Sequence, residues 1–191
     1  MRLFVALDLD AEIRRRIEEF RDKMRPYAPD VRWVTPDTFH ITLQFLGETA
    51  KQEGIHQALR EVRGTAISIA FRGTGFFPSA KAPRVFWIGI EAAVGLQQLV
   101  NGISEALQPL GFKQEMTAFT PHLTLARSGS GGPRPVRGES SAPGLRVVAL
   151  KLEDQPPSEF GSMTAREFFL YESKLSPSGA KYTKLNRYPL E

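Results

Sequence analysis

Two of the chain's three histidines, His40 and His122, open the same pattern, His-x-Thr-Leu, in the runs "TFHITLQFLG" and "TAFTPHLTLAR". Both runs are apolar and bounded by turn-forming residues, so both are expected to be strands. Residues i and i+2 of a strand share a face, so His40 projects with Thr42, and His122 with Thr124. A single pair of this kind is ordinarily a surface feature or a satisfied core pair. Two in matching context point to one target: if the strands meet about a two-fold axis, two imidazoles and two hydroxyls converge on a cleft. One imidazole can then accept a proton near neutral pH while the other, protonated, donates one. Threonine hydroxyls can hold the oxygens of an anion between them. Such a set suits in-line displacement at phosphorus, one histidine activating the nucleophile and the other protonating the leaving oxygen.

Arg127 stands five residues beyond His122, and Phe45 five beyond His40. Strict alternation puts both on the far face, so they join the site only if each strand ends, twists or bulges before them. If they do join, a guanidinium on one side would hold phosphate, and a ring on the other would stack on a base. Phe45 is equally at home as plain core, and Arg127 as a solvated strand end. The third histidine, His56 in "EGIHQALR", falls on an expected helix with no polar partner in phase and reads as a surface residue.

The elements that must position these groups come as a repeat. Shifted by 82 residues, Arg2-Leu3-Phe4 falls on Arg84-Val85-Phe86, Thr38 on Thr120, His40 on His122 and Thr42 on Thr124. "RLFVALDL" reads as a strand. It leads into a helix with Ile13, Ile17, Phe20 and Met24 in phase, N-capped by Asp10 and stopped near Pro26. "VRWV" is a short strand before the first motif. After it come a helix around "KQEGIHQALREVR", a strand "AISIAFRG", a loop over 73–83 by its Gly and Pro content, the strand "RVFWIGI" and a helix with Leu96, Val100, Ile103 and Leu107 in phase. The second motif strand is expected over 117–127. Residues 128–144, "SGSGGPRPVRGESSAPG", read as a surface loop whose Arg134 and Arg137 are either solvated or in reach of a polynucleotide backbone. "LRVVALKLED", "REFFLYESKL" and "YTKLNRYPL" are expected as three closing strands. The order strand, helix, motif strand occurs twice, which implies an α+β fold of two similar lobes about an approximate two-fold axis.

Composition narrows the function classes. Of 191 residues, 41% are hydrophobic and 24% charged, ordinary for a globular protein with its own core, and the net charge of +4 mildly favours an anionic partner. There is no cysteine, which removes thiolate metal sites, disulfides and thiol nucleophiles. No apolar run approaches a membrane span or a signal peptide, so a cytoplasmic protein with no membrane partner is expected. "RGTGFF" lacks the third glycine of a dinucleotide fingerprint, no P-loop or nucleophile elbow is present, and neither motif brings the extra ligands a zinc site wants.

Paired His-x-Thr motifs in two similar lobes resemble the 2H phosphoesterase superfamily, and within it the RNA 2′,3′-cyclic phosphodiesterases, also called the 2′-5′ RNA ligase family. The resemblance runs nearly end to end, through "MRLFVALDL", "VRWVTPDTFHITLQFLG", "FFPSAKAPRVFWIGI", "FTPHLTLAR" and "ESKLSPSGAKYTKLNRYPL". It implies one domain over 1–191, each lobe an antiparallel sheet with helices outside and the motifs in a central cleft, without metal or cofactor. It further implies hydrolysis of RNA or nucleoside 2′,3′-cyclic phosphates to 2′-phosphomonoesters, with His40 as general acid and His122 as general base. A monomer is expected, although the sequence itself is silent on oligomeric state. Thr42, Thr124 and Arg127 would bind phosphate, Phe45 would stack on the base, and the reverse direction would join RNA ends through a 2′-5′ bond. The rival expectation is a catalytically idle RNA- or nucleotide-binding protein using the same cleft.

Overall fold

The computed structural model describes residues 1–113, 118–129, 142–176 and 179–191. In chain order the elements are β1 (Arg2–Asp8), α1 (Ala11–Met24), β2 (Val31–Trp33), β3 (His40–Glu48), α2 (Gln52–Arg60), β4 (Ile67–Phe77), β5 (Val85–Ala92), α3 (Val94–Leu107), β6 (His122–Ser128), α4 (Pro143–Leu152), β7 (Glu159–Ala165), β8 (Glu167–Ser176) and β9 (Gly179–Pro189). They form two antiparallel sheets, ordered β3-β1-β8-β9 and β2-β6-β5-β4-β7. This is the two-lobed α+β architecture that the repeat implies. The lobes exchange strands: β2, from the first half, pairs with β6, while β8 and β9 return to the first sheet.

Local chemistry accounts for most elements. Asp10 caps α1, its carboxylate accepting the Ile13 N–H at 2.8 Å, and the helix buries Ile13, Ile17 and Met24. Phe20 on the same helix meets Phe86 and Phe160 of the second sheet. In β1, alternation sends Leu3, Val5 and Leu7 into the main core, while Phe4 and Ala6 join a small cluster with Phe169, Tyr171 and Tyr182 on the opposite face. A strand buried on both faces reads as the continuous apolar run "LFVAL".

Several expectations are corrected. "LRVVALKLED" does not form a strand: Pro143 occupies the first turn of α4, and Leu145, Val148 and Ala149 are buried at helical spacing. Asp30 accepts the Gly144 N–H at 3.1 Å and so serves the start of this helix from a distant part of the chain. The expected loop over 73–83 begins later, since β4 runs on to Phe77, and β7 has no counterpart among the expected strands, because "SEFGSMTA" carries little apolar alternation. The second motif strand starts at His122 itself. Of the expected 128–144 loop, Ser128 ends β6 and Pro143 begins α4. Arg134 and Arg137 lie outside the described residues. His56 is not a lone surface residue: its Nδ1 is 3.0 Å from the Tyr188 hydroxyl on β9.

Candidate active site

The strands β3 and β6 lie against each other where the two sheets meet, and their motifs are built alike. His40 Nδ1 is 2.7 Å from the Thr38 carbonyl, and His122 Nδ1 is 2.7 Å from the Thr120 carbonyl. A carbonyl only accepts, so in both rings Nδ1 carries hydrogen, and Nε2 is left as the nitrogen that can exchange a proton. The upstream threonine of each motif therefore fixes the imidazole through its backbone, and both runs share the longer pattern Thr-x-His-x-Thr.

Each motif strand also bulges at the same place. Val5 pairs with Gln44 but Ala6 with Thr42, and Phe86 pairs with Ala126 but Trp87 with Thr124. Leu43 and Leu125 are thus extra residues relative to their partner strands. Leu43 and Gln44 are both buried, as are Leu125 and Ala126, and the residue after each pair is exposed. That residue is Phe45 in β3 and Arg127 in β6, returned by the bulge to the face of its histidine. Phe45 lies 6.2 Å from Phe4, whose ring is 4.9 Å from His40, and Arg127 Nη2 donates to Thr124 Oγ1 at 3.3 Å. The structure brings His40, Thr42 and Phe45 together on one sheet, and His122, Thr124 and Arg127 on the other.

The same register refines the repeat. Phe4 faces Phe45 and Val85 faces Arg127, so the first strands of the halves correspond at an offset of 81, not the 82 that holds for the motif strands. Asp8 then stands opposite His40 where Gly89 stands opposite His122. The two imidazoles consequently differ in surroundings. Around His40 are Phe4, Tyr171 at 6.4 Å and Tyr182 at 5.1 Å; around His122 are Phe77 at 5.0 Å and Trp87 at 6.2 Å. Asp8 is held by Arg14 and Lys184, and beside it opens a cavity of ≈ 410 Å³ that His40, Tyr171 and Tyr182 also line.

These surroundings set the protonation chemistry. Burial pushes the proton affinity of both histidines below the ordinary imidazole value. The hydrogen bonds at Nδ1 pull both back and Arg127 pushes both down, while at His40 Asp8 also pulls up and Arg14 also pushes down. Arg127 therefore lies close enough to both rings to act on each. An anion bound at Arg127 offsets that charge, so both imidazoles gain proton affinity when it arrives. Among the described residues no group of three or more His, Cys, Asp or Glu side chains could hold a metal ion.

Sequence reasoning missed Asp8, Arg14, Lys184 and the aromatic walls. Asp8 had one visible signal, a carboxylate ending an apolar strand in step with Phe4 and Ala6. Tyr182 and Lys184 had none, because strand β9 reaches the site only through its pairing with β8.

The chain is similar to known proteins along nearly its whole length. The RNA 2′,3′-cyclic phosphodiesterase of Archaeoglobus fulgidus is 35% identical over 187 residues, which cover 97% of this chain and 98% of that protein. A crystal structure of a Thermus thermophilus protein superposes with a TM-score of 0.77 at 31% identity, covering 99% of this chain and 97% of that one. E. coli LigT complexed with 3′-AMP gives a TM-score of 0.76 at 30% identity, covering 99% and 97%. The family model described as LigT-like phosphoesterase matches twice, over 7–87 and 88–182, dividing the chain as the repeat does. With both halves matched, the chain belongs to the LigT-like phosphoesterase family.

Proposed function

We propose that the protein hydrolyses RNA or nucleoside 2′,3′-cyclic phosphates to 2′-phosphomonoesters without a metal, the two histidines exchanging protons at one phosphate bound between the lobes. The observation that carries this reading is the matched pair of imidazoles, each fixed through Nδ1 with Nε2 left to act, and both within the field of Arg127. Neutral His122 takes a proton from water at Nε2 while the water oxygen attacks phosphorus. The P–O3′ bond breaks in line, and protonated His40 gives its Nε2 proton to the departing 3′-oxygen. Asp8 supports this assignment, since it is the carboxylate that favours the imidazolium of His40. Thr42, Thr124 and Arg127 hold the phosphate oxygens, Arg127 and the hydroxyls stabilising the charge that builds up in the transition state. Phe45, 56% exposed, offers its ring to the base. A 5′-hydroxyl taking the place of water would give a 2′-5′ bond by the same proton transfers. Both lobes act as one functional unit, since each supplies one histidine.

The test is incubation with a nucleoside 2′,3′-cyclic phosphate, and with a short RNA ending in one, in excess EDTA. Release of the 2′-phosphate is expected. A 3′-phosphate product would reverse the leaving group, loss of turnover in EDTA would refute metal independence, and no turnover of either substrate in any buffer would leave the cleft a binding site only. His40→Ala and His122→Ala should each lower kcat by about 10²–10⁴-fold with the fold intact, the range for losing a general acid or base.

A further inference from the structure

Strand β2 lies along the outer side of β6, and Arg32 on it pairs directly with Arg127. Directly opposed residues of an antiparallel pair share a face. The flanking residues confirm which face this is: Val31 and Trp33 pack into the core, Trp33 lying 6.1 Å from Phe86, so Arg32 points the other way, as Arg127 does. Arg32 is exposed. Like charges set opposite each other on neighbouring strands destabilise a sheet, and nothing among the described residues relieves them. Among the described residues neither Arg32 nor Arg127 has a carboxylate partner, as several other surface arginines also do not. Two unpaired guanidiniums side by side on the cleft face are an arrangement that bound anions would stabilise.

Their positions separate their tasks. Arg127 donates to Thr124 Oγ1 and acts on the charge of both histidines. Arg32 is one strand further out, on the edge of the sheet. A cyclic phosphate closes the 3′ end of its chain, so the next phosphate of a longer substrate lies on the 5′ side of the terminal nucleotide, and Arg32 is a cation directly beside Arg127. We propose that Arg32 binds the phosphate on the 5′ side of the terminal nucleotide, so that the enzyme favours the cyclic-phosphate end of an RNA chain over a mononucleotide. The inference rests on the proposed function. Two guanidiniums that start from directly paired backbone positions can hold neighbouring phosphates of one strand at once, Arg127 the scissile one and Arg32 the next.

The experiment compares the wild type, Arg32→Gln and Arg32→Lys on two substrates: a nucleoside 2′,3′-cyclic phosphate and a trinucleotide ending in a 2′,3′-cyclic phosphate. For Arg32→Gln, kcat/KM on the trinucleotide should fall about tenfold, the low end for a charged hydrogen bond because the site is open to solvent, while the mononucleotide rate stays within about twofold. Arg32→Lys should keep most of the trinucleotide rate. The salt dependence of kcat/KM on the trinucleotide should also become shallower in Arg32→Gln, by somewhat less than about one unit of the log–log slope. Equal losses on both substrates would overturn the inference, since Arg32 would then serve the scissile phosphate or the fold. An unchanged trinucleotide rate would overturn it too. If the wild type turned over neither substrate, the proposed function itself would fail, and this inference with it.

Discussion

Replacing Gly75 with alanine should damage the site from behind. Gly75 on β4 pairs with Trp87 on β5, and the indole lies over it. A methyl group at Gly75 would sit 2.1 and 2.3 Å from two carbons of the six-membered indole ring. Carbon atoms in ordinary contact are about 3.5–4.0 Å apart, so the ring must retreat about 1.5–2 Å. Two rings stand near it, Phe77 at 5.1 Å and His122 at 6.2 Å between ring centroids. A rigid ring displaced by that distance is expected to disturb His122, its neighbour. Misplacing a reacting group by about 1 Å can cost about 10²-fold in rate, and overpacking costs about 1–3 kcal/mol of stability. Gly75→Ala should therefore lose about 10²-fold in kcat/KM on a nucleoside 2′,3′-cyclic phosphate, with a lower urea midpoint. Adding Trp87→Phe, which makes room for the methyl, should restore part of both. Gly95→Ala on α3 is the control, because its new methyl meets only Ile67 Cγ1 at 3.6 Å. Full turnover in Gly75→Ala, or no recovery in the double variant, would refute the view that Trp87 positions His122.

Asp8→Asn removes the carboxylate that favours the His40 imidazolium, so His40 should lose its proton at lower pH. If His40 is the acid, the alkaline limb of the kcat/KM profile moves down while the acid limb stays; movement of the acid limb instead would exchange the two roles. Arg127→Ala should lower kcat/KM by about 10–100-fold, the worth of a charge-assisted contact to phosphate, and raise both limbs, since Arg127 depresses both histidines. Phe45→Ala should cost about 1–3 kcal/mol in nucleotide binding, read by titration, yet leave the urea midpoint almost unmoved, because the ring is exposed. The lowered proton affinities of His40 and His122 also tie stability to pH. Below about pH 6.5 the unfolded chain protonates first, so this stability is complete above that pH and is lost as pH falls toward the depressed folded values. A His40→Gln, His122→Gln double variant should accordingly show a flatter dependence of urea stability between about pH 7 and 5 than the wild type.

The histidine and threonine pairs were legible in the sequence because their spacing is local and strand alternation is strict. The bulges were not, although they leave a trace: Leu125-Ala126 puts two small or apolar residues in succession before an exposed arginine. In the other copy Gln44 replaces the alanine and hides that trace, although it is buried all the same. The helix α4 escaped the local pattern for a different reason. Leu-Arg-Val-Val-Ala-Leu suits a strand by composition, and what decides for a helix is the proline at its start and Asp30, placed there by tertiary contact. His56 is a parallel case, since its partner Tyr188 is 132 residues away. Pairing between distant strands is the step that a local pattern does not encode.

Duplication on its own would produce two equivalent histidines, whereas opening a cyclic phosphate needs one proton donor and one acceptor at the same moment. The inequality enters at positions that face the motifs rather than in the motifs themselves. Asp8 opposes His40 and is anchored there by Arg14 and Lys184. The matching place opposite His122 is Gly89, and a Cβ there would meet the Arg72 carbonyl at 2.4 Å. The bulged path of β4 between Phe71 and Thr74 accompanies that close approach, so backbone, not just residue choice, bars a carboxylate from the second lobe. Phe45 against Arg127 repeats the division at the other end of the motif, an exposed ring on one strand and an exposed cation on the other. Arg127 depresses both imidazoles until an anion offsets it, whereas the opposed charges of Asp8 and Arg14 act on His40 alone, so the two rings answer to different fields when the anion arrives.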